Sequence, residues 1–400
     1  MQFLKQLTSY NKNINFLKEQ PKTPKNFGLY VHIPFCKKAC HYCNFHFSTN
    51  LSLKDKMISS LEKELSIKKE IYPEIKISTI YFGGGTPSLL SSEDLYKVLN
   101  AIHKYFHVDK NIETTIEINP DDVSDLKLKE FKKLNFNRLS VGVQTFNDEV
   151  LKFINRSHDS KTAKDAFSII EKNGFDNFNL DIIFGLPKSN IKILENDLKV
   201  IKKINPNHIS IYCLSIEEKT VFKNWLDRGI INEASSERII AEYKKICDFA
   251  KENSFFHYEV SNFSKKNKES KHNSNYWNHQ NGYIGIGPSA HSYDFETRKS
   301  NISNNFKYVN AIDQNKIPET IEVLSLKNKT NEYIMTSLRT KKGCDFIFLK
   351  KKFEYDIFTE KKIIDLLIQK KYLYIKQNYI VLTELGMLLS DEITSKLFLK

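Results

Sequence analysis

Between Gly28 and about Leu214 the chain repeats one rhythm, a short β-rich run followed by a longer amphipathic one, and that rhythm sets the fold class. The β-rich runs are "LYVHIPF" (29–35), "ISTIYF" (77–82), "IETTIEI" (112–118), "RLSVGVQ" (138–144), "FNLDIIFG" (178–185) and "HISIYCL" (208–214). Helical spacing fills the intervals, as in "LKDKMISSLEKELSIKKEI" (53–71) and in "SKTAKDAFSIIEKNGF" (160–175), where Gly174 stands at a C-cap. "SSEDLYKVLNAIHKYF" (91–106) opens with a serine N-cap and early acids. Strands alternating with helices pair in parallel, because parallel neighbours need a crossover. The expected class is α/β, with six units forming a barrel or partial barrel. Pattern alone leaves a doubly wound open sheet as the alternative.

After Ser215 the rhythm changes. Helical patterns at about 219–228 and 234–253 lead into "FFHYEVSNFS" and "KHNSNYWNHQNGYIGIGPSAHSY". From about Asn301 the chain reads as mostly helical, closing with "YLYIK", "YIVLT" and a last helix, a winged-helix-like pattern. The expected organisation is an N-terminal extension (1–27), a barrel domain (28–300) and a smaller, mostly helical C-terminal domain (301–400).

Composition narrows the function classes. The net charge of +13 invites a nucleic-acid reading, but only six of the 61 basic residues are arginine and the lysines are spread along every segment. That pattern is a solvated surface and predicts no nucleic-acid partner, while acidic small molecules remain compatible with it. The N-terminus has no apolar signal core and no run is long enough to span a membrane, which predicts a soluble, cytoplasmic protein. Three of the six cysteines cluster, which in a reducing compartment reads as metal or cluster ligation rather than as a disulfide framework.

Polar and flexible residues gather at the C-terminal ends of the strands, the edge where parallel α/β folds bind ligands. The first strand is followed by Cys36, Cys40 and Cys43, and the second by Gly83, Gly84, Gly85 and Thr86. Glu117 and Asn119 close the third and Gln144 the fourth; Asp181 lies in the fifth and Ser215 follows the sixth. The C-x3-C-x2-C spacing suits three irons of a [4Fe-4S] cluster with the fourth iron open. The alternative is zinc with His41 or His46 as a further ligand, although zinc modules usually have paired ligands and a small fold of their own. "YFGGGTPS" leaves backbone amides pointing inward and lacks the Lys-Ser/Thr of a phosphate-binding loop. Glu117, Gln144, Arg156 and Asp181 could together hold a charged, amino-acid-bearing nucleoside.

"CKKACHYC", "GGGTPS", "IEINPDD", "RLSVGVQTF", "NRSHD" and "LDIIFGLP" together resemble the radical S-adenosylmethionine (SAM) enzymes of the oxygen-independent coproporphyrinogen III oxidase group, from Tyr30 to near the C-terminus. The resemblance implies a radical SAM partial (β/α)6 barrel. Cys36, Cys40 and Cys43 would hold the cluster, whose fourth iron SAM chelates. Tyr30, Gly84, Gly85, Thr86 and Glu117 would line the SAM site. Tyr42, Gln144, Arg156, Asp181 and Ser215 match the residues that contact a second SAM in the oxidase branch.

Within that group the chain is more similar to the haem-chaperone branch. The oxidase has a further cysteine two residues beyond the third ligand, where this chain has Phe45, and a longer N-terminal region. "HYEVSNFS", "HNSNYW" and "GIGPSAHSY" resemble the chaperone branch. That likeness makes His272, Tyr276 and Trp277 the expected haem contacts, with His257 and His291 structural; chemistry alone would make Tyr276 and Trp277 packing aromatics. The implied function is haem delivery to acceptor haemoproteins, with room for acceptors at the membrane and for a homodimer. Oxidative decarboxylation of coproporphyrinogen III is the first alternative, and a radical SAM enzyme with an unrelated substrate the second. Cys213 and Cys344 read as small packed residues.

Overall fold

The computed structural model describes residues 26–400, so the expected N-terminal extension lies almost wholly outside the described residues. Six parallel strands form in sequence order: β1 (Asn26–Ile33), β2 (Lys76–Gly84), β3 (His107–Ile118), β4 (Arg138–Gln144), β5 (Phe178–Phe184) and β6 (His208–Cys213). β1, β2, β4 and β5 are buried along nearly their whole length, while β3 is buried only in its second half and β6 only in its first four residues.

Helices occupy the intervals and their starts are written in the sequence. Ser91 and Asp94 close a capping box at the start of helix 92–105, and the Asp159 side chain accepts from the Thr162 amide at the start of helix 160–172. Gly174 follows that second helix at φ 65°, a left-handed turn that suits glycine.

A doubly wound sheet would reverse its strand order; here β1 to β6 run consecutively. The barrel is partial. The outer edge of β6 pairs with β8 (Asn262–Ser264), which pairs with β7 (Phe256–Glu259). The outer edge of β1 pairs in parallel with β9 (Gly282–Ile286), and β10 (His291–Tyr293), β11 (Thr297–Asn301) and β12 (Glu319–Val323) extend the sheet to twelve strands.

The large core covers both faces of this sheet and includes Tyr308, Val309 and Ile312 of helix 305–313. Residues 301–323, expected in the C-terminal domain, therefore sit with the large sheet. The helix carries a buried apolar face toward that core, and β12 completes an antiparallel ladder with β11. A second core runs from Tyr333 to Leu397 around five helices and a three-stranded antiparallel sheet of β13 (Cys344–Asp345), β15 (Tyr379–Leu382) and β14 (Leu373–Lys376). Cys344 is packed inside it, as expected. Among the described residues no helix is long and apolar enough to cross a membrane.

Candidate functional site

The C-terminal ends of β1 to β6 open into one cavity of about 430 Å³. Cys36, Cys40 and Cys43 line it together with Tyr42, Gly84, Gly85, Thr86, Glu117, Gln144, Arg156, Asp181 and Ser215. Tyr30 does not reach it. Its ring stacks behind Tyr81, 6.0 Å between centroids, and its hydroxyl meets His32 Nδ1 at 3.2 Å.

The cysteine loop is held by the chain itself. The Cys36 amide donates to Ser48 O at 3.0 Å, and that of Cys43 to Cys40 O at 3.2 Å. The stretch Asn155-Arg156-Ser157 then grips the loop from β4's side. Asn155 Nδ2 donates to Ala39 O (2.8 Å), an Arg156 guanidinium nitrogen lies 3.4 Å from Cys40 Sγ, and Ser157 Oγ donates to Asp121. Asp121 also accepts from Lys37 at 2.8 Å, so the loops after β1, β3 and β4 form one unit.

Burial pushes the Cys36 thiol up to about 11 and that of Cys43 up to about 12. As bare thiols they stay protonated near neutrality, and the positive charge of bound iron is what would ionise them. Among the described residues no group of three or more His, Cys, Asp or Glu side chains is placed to hold a single metal ion. Thiols spread along one loop fit a cluster, which takes one thiolate per iron. His41 Nδ1 meets Phe153 O at 2.8 Å and His46 Nε2 meets Asn305 Oδ1 at 2.7 Å, and among the described residues neither histidine joins the cysteines in a group placed to hold one metal ion.

The glycines answer to close backbone packing. Gly84 adopts φ 108°, and a Cβ on Gly85 would lie 2.6 Å from Phe35 O and 2.9 Å from Ile33 O. Gly85 and Thr86 amides donate to those same two carbonyls, so the loop abuts the backbone entering the cysteine turn. Gly85→Ala should therefore wedge the two loops apart, at a cost of about 1–3 kcal/mol. A lower urea midpoint together with less iron after reconstitution checks this.

Glu117 accepts from Tyr81 Oη at 2.9 Å and from the Gly84 amide at 3.1 Å. Burial, helped by nearby Asp181, pushes its carboxyl up to about 7. Asp181 is itself raised by burial and accepts from Ser140 Oγ and Asn179 Nδ2. Arg156 is held against Asn119 Oδ1 and Gly142 O, both at 2.6 Å. Gln144 sits at φ 72° beside a register shift between β4 and β5, strained backbone that brings its side chain to the mouth. Ser215 lies exposed at the rim, donating to Glu217.

Sequence reasoning missed Tyr81, Ser140, Asn179 and Ser210, which form or support the inner wall. Each is a polar residue inside an apolar strand run, and Asn179 and Asp181 share the two-residue spacing of one strand face. Cys213, expected to be packed, is instead exposed and borders the cavity, because β6 ends there and its last residues lose their cover.

His272 is fully enclosed. Its Nδ1 meets Thr79 Oγ1 at 2.9 Å, its Nε2 meets Tyr276 Oη at 3.1 Å, and its ring stacks on Tyr81 at 5.0 Å. Neither ring nitrogen is free for an iron in this packing. Burial lowers its pKa to about 3, so the ring is neutral. Trp277 lies under the Arg339 guanidinium, 5.0 Å from its ring centre, away from the cysteine cavity.

This arrangement has relatives. The Radical SAM superfamily pattern matches residues 30–201. The chain is 34% identical over 375 residues to "Heme chaperone HemW" of Bacillus subtilis, covering 91% of this chain and 97% of that one. The chain belongs to the HemW family. A Buchnera aphidicola HemW is 37% identical over 82% of this chain and 85% of its own. Coproporphyrinogen III oxidase (HemN) from Escherichia coli, described as a radical SAM enzyme, superposes with a TM-score of 0.82 over 95% of this chain and 91% of its own, at 20% identity. HemW membership and that superposition together establish the radical SAM partial barrel with its helical C-terminal region.

Proposed function

We propose that this chain is a haem chaperone that carries a [4Fe-4S] cluster and SAM and passes haem to acceptor haemoproteins. The observation that carries the reading is the match to HemW proteins along almost their entire length. Cys36, Cys40 and Cys43 would hold the cluster; Gly84, Gly85, Thr86 and Glu117 would face SAM, with Tyr30 buttressing Tyr81 from behind. Tyr42, Gln144, Arg156, Asp181 and Ser215 would be the contacts of a second SAM, should this chain take one as the oxidase branch does. The cluster supplies an open iron and one-electron reducing power. The chain's own residues contribute the loop unit that fixes the thiols, the Arg156 cation beside Cys40 and the carboxylate of Glu117 in a buried wall.

Coproporphyrinogen oxidation is the second reading, and one residue counts against it. Phe45, 67% exposed at the cavity rim, stands where the oxidase branch has a further cysteine. The test is anaerobic: reconstituted protein receives SAM, a reductant and coproporphyrinogen III, and mass spectrometry follows the loss of two carboxyl groups. No product from protein with an intact cluster is expected. Product over many turnovers would overturn the chaperone reading.

Glu117 gives the SAM site a pH dependence. Below its folded-state value of about 7 the carboxyl is neutral, and a cofactor bearing a sulfonium charge must expel its proton to pair with it. Affinity for SAM should therefore rise between about pH 6 and about pH 8 and then level off. Calorimetric titration checks this, and Glu117→Gln should flatten the profile.

A further inference from the structure

Each of the strands β2 to β6 places one more polar side chain beneath the floor of the cysteine cavity. Tyr81, Glu117, Ser140, Asp181 and Ser210 line that cavity, and two residues earlier on the same strand faces stand Thr79, Thr115, Arg138, Asn179 and His208. All five of these deeper residues are buried. The residues between, Ile80, Ile116, Leu139, Leu180 and Ile209, belong to the apolar core on the opposite face. Barrel interiors are ordinarily filled by branched apolar side chains, so a wholly polar level under a cavity calls for a reason.

Arg138 is the one deeper residue with a permanent charge. It is 1% exposed, and its Nε and Nη2 have no hydrogen-bond partner among the described residues. Thr115, its partner in the pairing of β3 with β4, has an equally unpartnered Oγ1. Ordered water satisfies such groups in many proteins, but it does not cancel a charge. A buried cation is costly unless an opposite charge lies near.

The neighbours of the guanidinium narrow the choice of that charge. His272 and His208 lie close to it, and burial, with the cation beside them, lowers the pKa of both rings, so both are neutral. Tyr81 from β2 and Tyr258 from β7 also lie near, and burial keeps their hydroxyls protonated. Glu113, deeper on β3, is engaged by the amides of Lys271 and His272. Asp181 remains. Burial pushes its carboxyl up, while hydrogen bonds from Ser210, Asn179 and Ser140 and the charge of Arg138 pull it down. On its other side Asp181 meets Tyr81, Tyr212 and Glu117.

The inner wall thus sets two carboxylates, Glu117 and Asp181, in front of one cation. Arg156, at the cysteine side of the cavity, is turned to Cys40 instead. One negative charge is left over in the wall, and the sulfonium of SAM is a single positive charge.

We propose that Arg138 is a positioning residue for the SAM site, the buried counter-ion of Asp181 that fixes the one net negative charge offered to the sulfonium. The proposal rests on the SAM reading of the cavity. Without the cation, two facing carboxylates in a buried wall keep a shared proton to higher pH, and SAM must expel it on binding.

The test is calorimetric titration of SAM into the cluster-reconstituted chain, repeated in buffers of different ionisation enthalpy so that released protons are counted. Wild type should release almost none at about pH 8, because Glu117 is ionised above about 7. Arg138→Met should release about one proton there and bind SAM about tenfold more weakly, a deficit that closes as the pH rises further. Arg138→Lys keeps the charge and should restore wild-type proton release even where its shorter reach weakens binding. Weaker binding of Arg138→Met at every pH, with no extra proton released, would make Arg138 a packing residue and overturn the role. Should Arg138→Met fail to fold, Asp181→Asn carries the test. With Asp181 held ionised by Arg138, the amide relieves Glu117 of a neighbouring charge, and the rise of affinity with pH moves to lower pH. An unmoved rise would show Asp181 to be neutral already and overturn the role. Failure of the wild-type chain to bind SAM would overturn the SAM reading itself, whereas identical profiles in wild type and Arg138→Met would overturn the role of Arg138 alone.

Discussion

Replacing Cys40 with serine is expected to leave the reconstituted protein almost colourless, with iron falling from about four atoms per chain to a small residue. A serine hydroxyl is a poor substitute for a soft thiolate, and the loop offers no other sulfur beyond Cys36 and Cys43. Collapse of the loop is not the expected cause. Its turn is fixed by backbone bonds and by Asn155 gripping Ala39, none of which uses the Cys40 sulfur. The variant should therefore keep the wild-type unfolding midpoint in the metal-free state while losing the brown absorption. Full retention of four irons would sink the ligand assignment, and loss of the fold would assign the effect to packing.

Glu64→Ala should produce the largest loss of stability, about 3–5 kcal/mol, the scale for removing one partner of a buried charged network. Glu64 is fully buried in helix 54–71 and accepts from the Gly287 amide at 2.8 Å, from Asn301 Nδ2 at 2.7 Å and from Tyr308 Oη at 2.5 Å. One carboxylate thus joins the first helix to the turn after β9, the end of β11 and helix 305–313. Alanine would strand three donors and leave Lys68 with Glu319 alone. Denaturant titration of the metal-free protein measures the change, and a midpoint within error of wild type would refute the role given to the network. Glu64→Asp, which keeps the charge and shortens the reach, should fall between the two.

The fold was legible where burial is continuous. Strands β1 to β6 read as β-rich runs whose apolar residues are interrupted by only a few polar ones, and the structure places all six within a few residues of the expected bounds. β11, with the sequence Thr-Arg-Lys-Ser-Asn, has no such signature. It is a strand because β10 and β12 pair with it, a case of tertiary context overriding composition. For the same reason residues 301–323 read as part of the smaller domain although they finish the larger one.

The site was legible where chemistry has a spacing, as at the three cysteines, and where residues end a strand, as at Glu117 and Gln144. It was opaque where a residue's partner is remote in sequence. Nothing around Gly85 announces that the carbonyls of Ile33 and Phe35 press on it, and nothing around His272 announces that Thr79 and Tyr276 occupy its ring. Arg138 raised no signal, because its distinguishing feature is the bonds it lacks.

The pairing of β1 with β9 also bears on how this molecule is born. Phe27 to Val31 leave the ribosome early, yet their neighbours on one side, Gly282 to Ile286, are added only after most of the polypeptide has been made. At ordinary elongation rates that interval is on the order of ten to fifty seconds. Throughout it the strand that leads into the cysteine loop has a bare hydrogen-bonding margin and an apolar face awaiting cover. β1 is translated before the other five barrel strands, yet it is among the last of the sheet to gain both its neighbours.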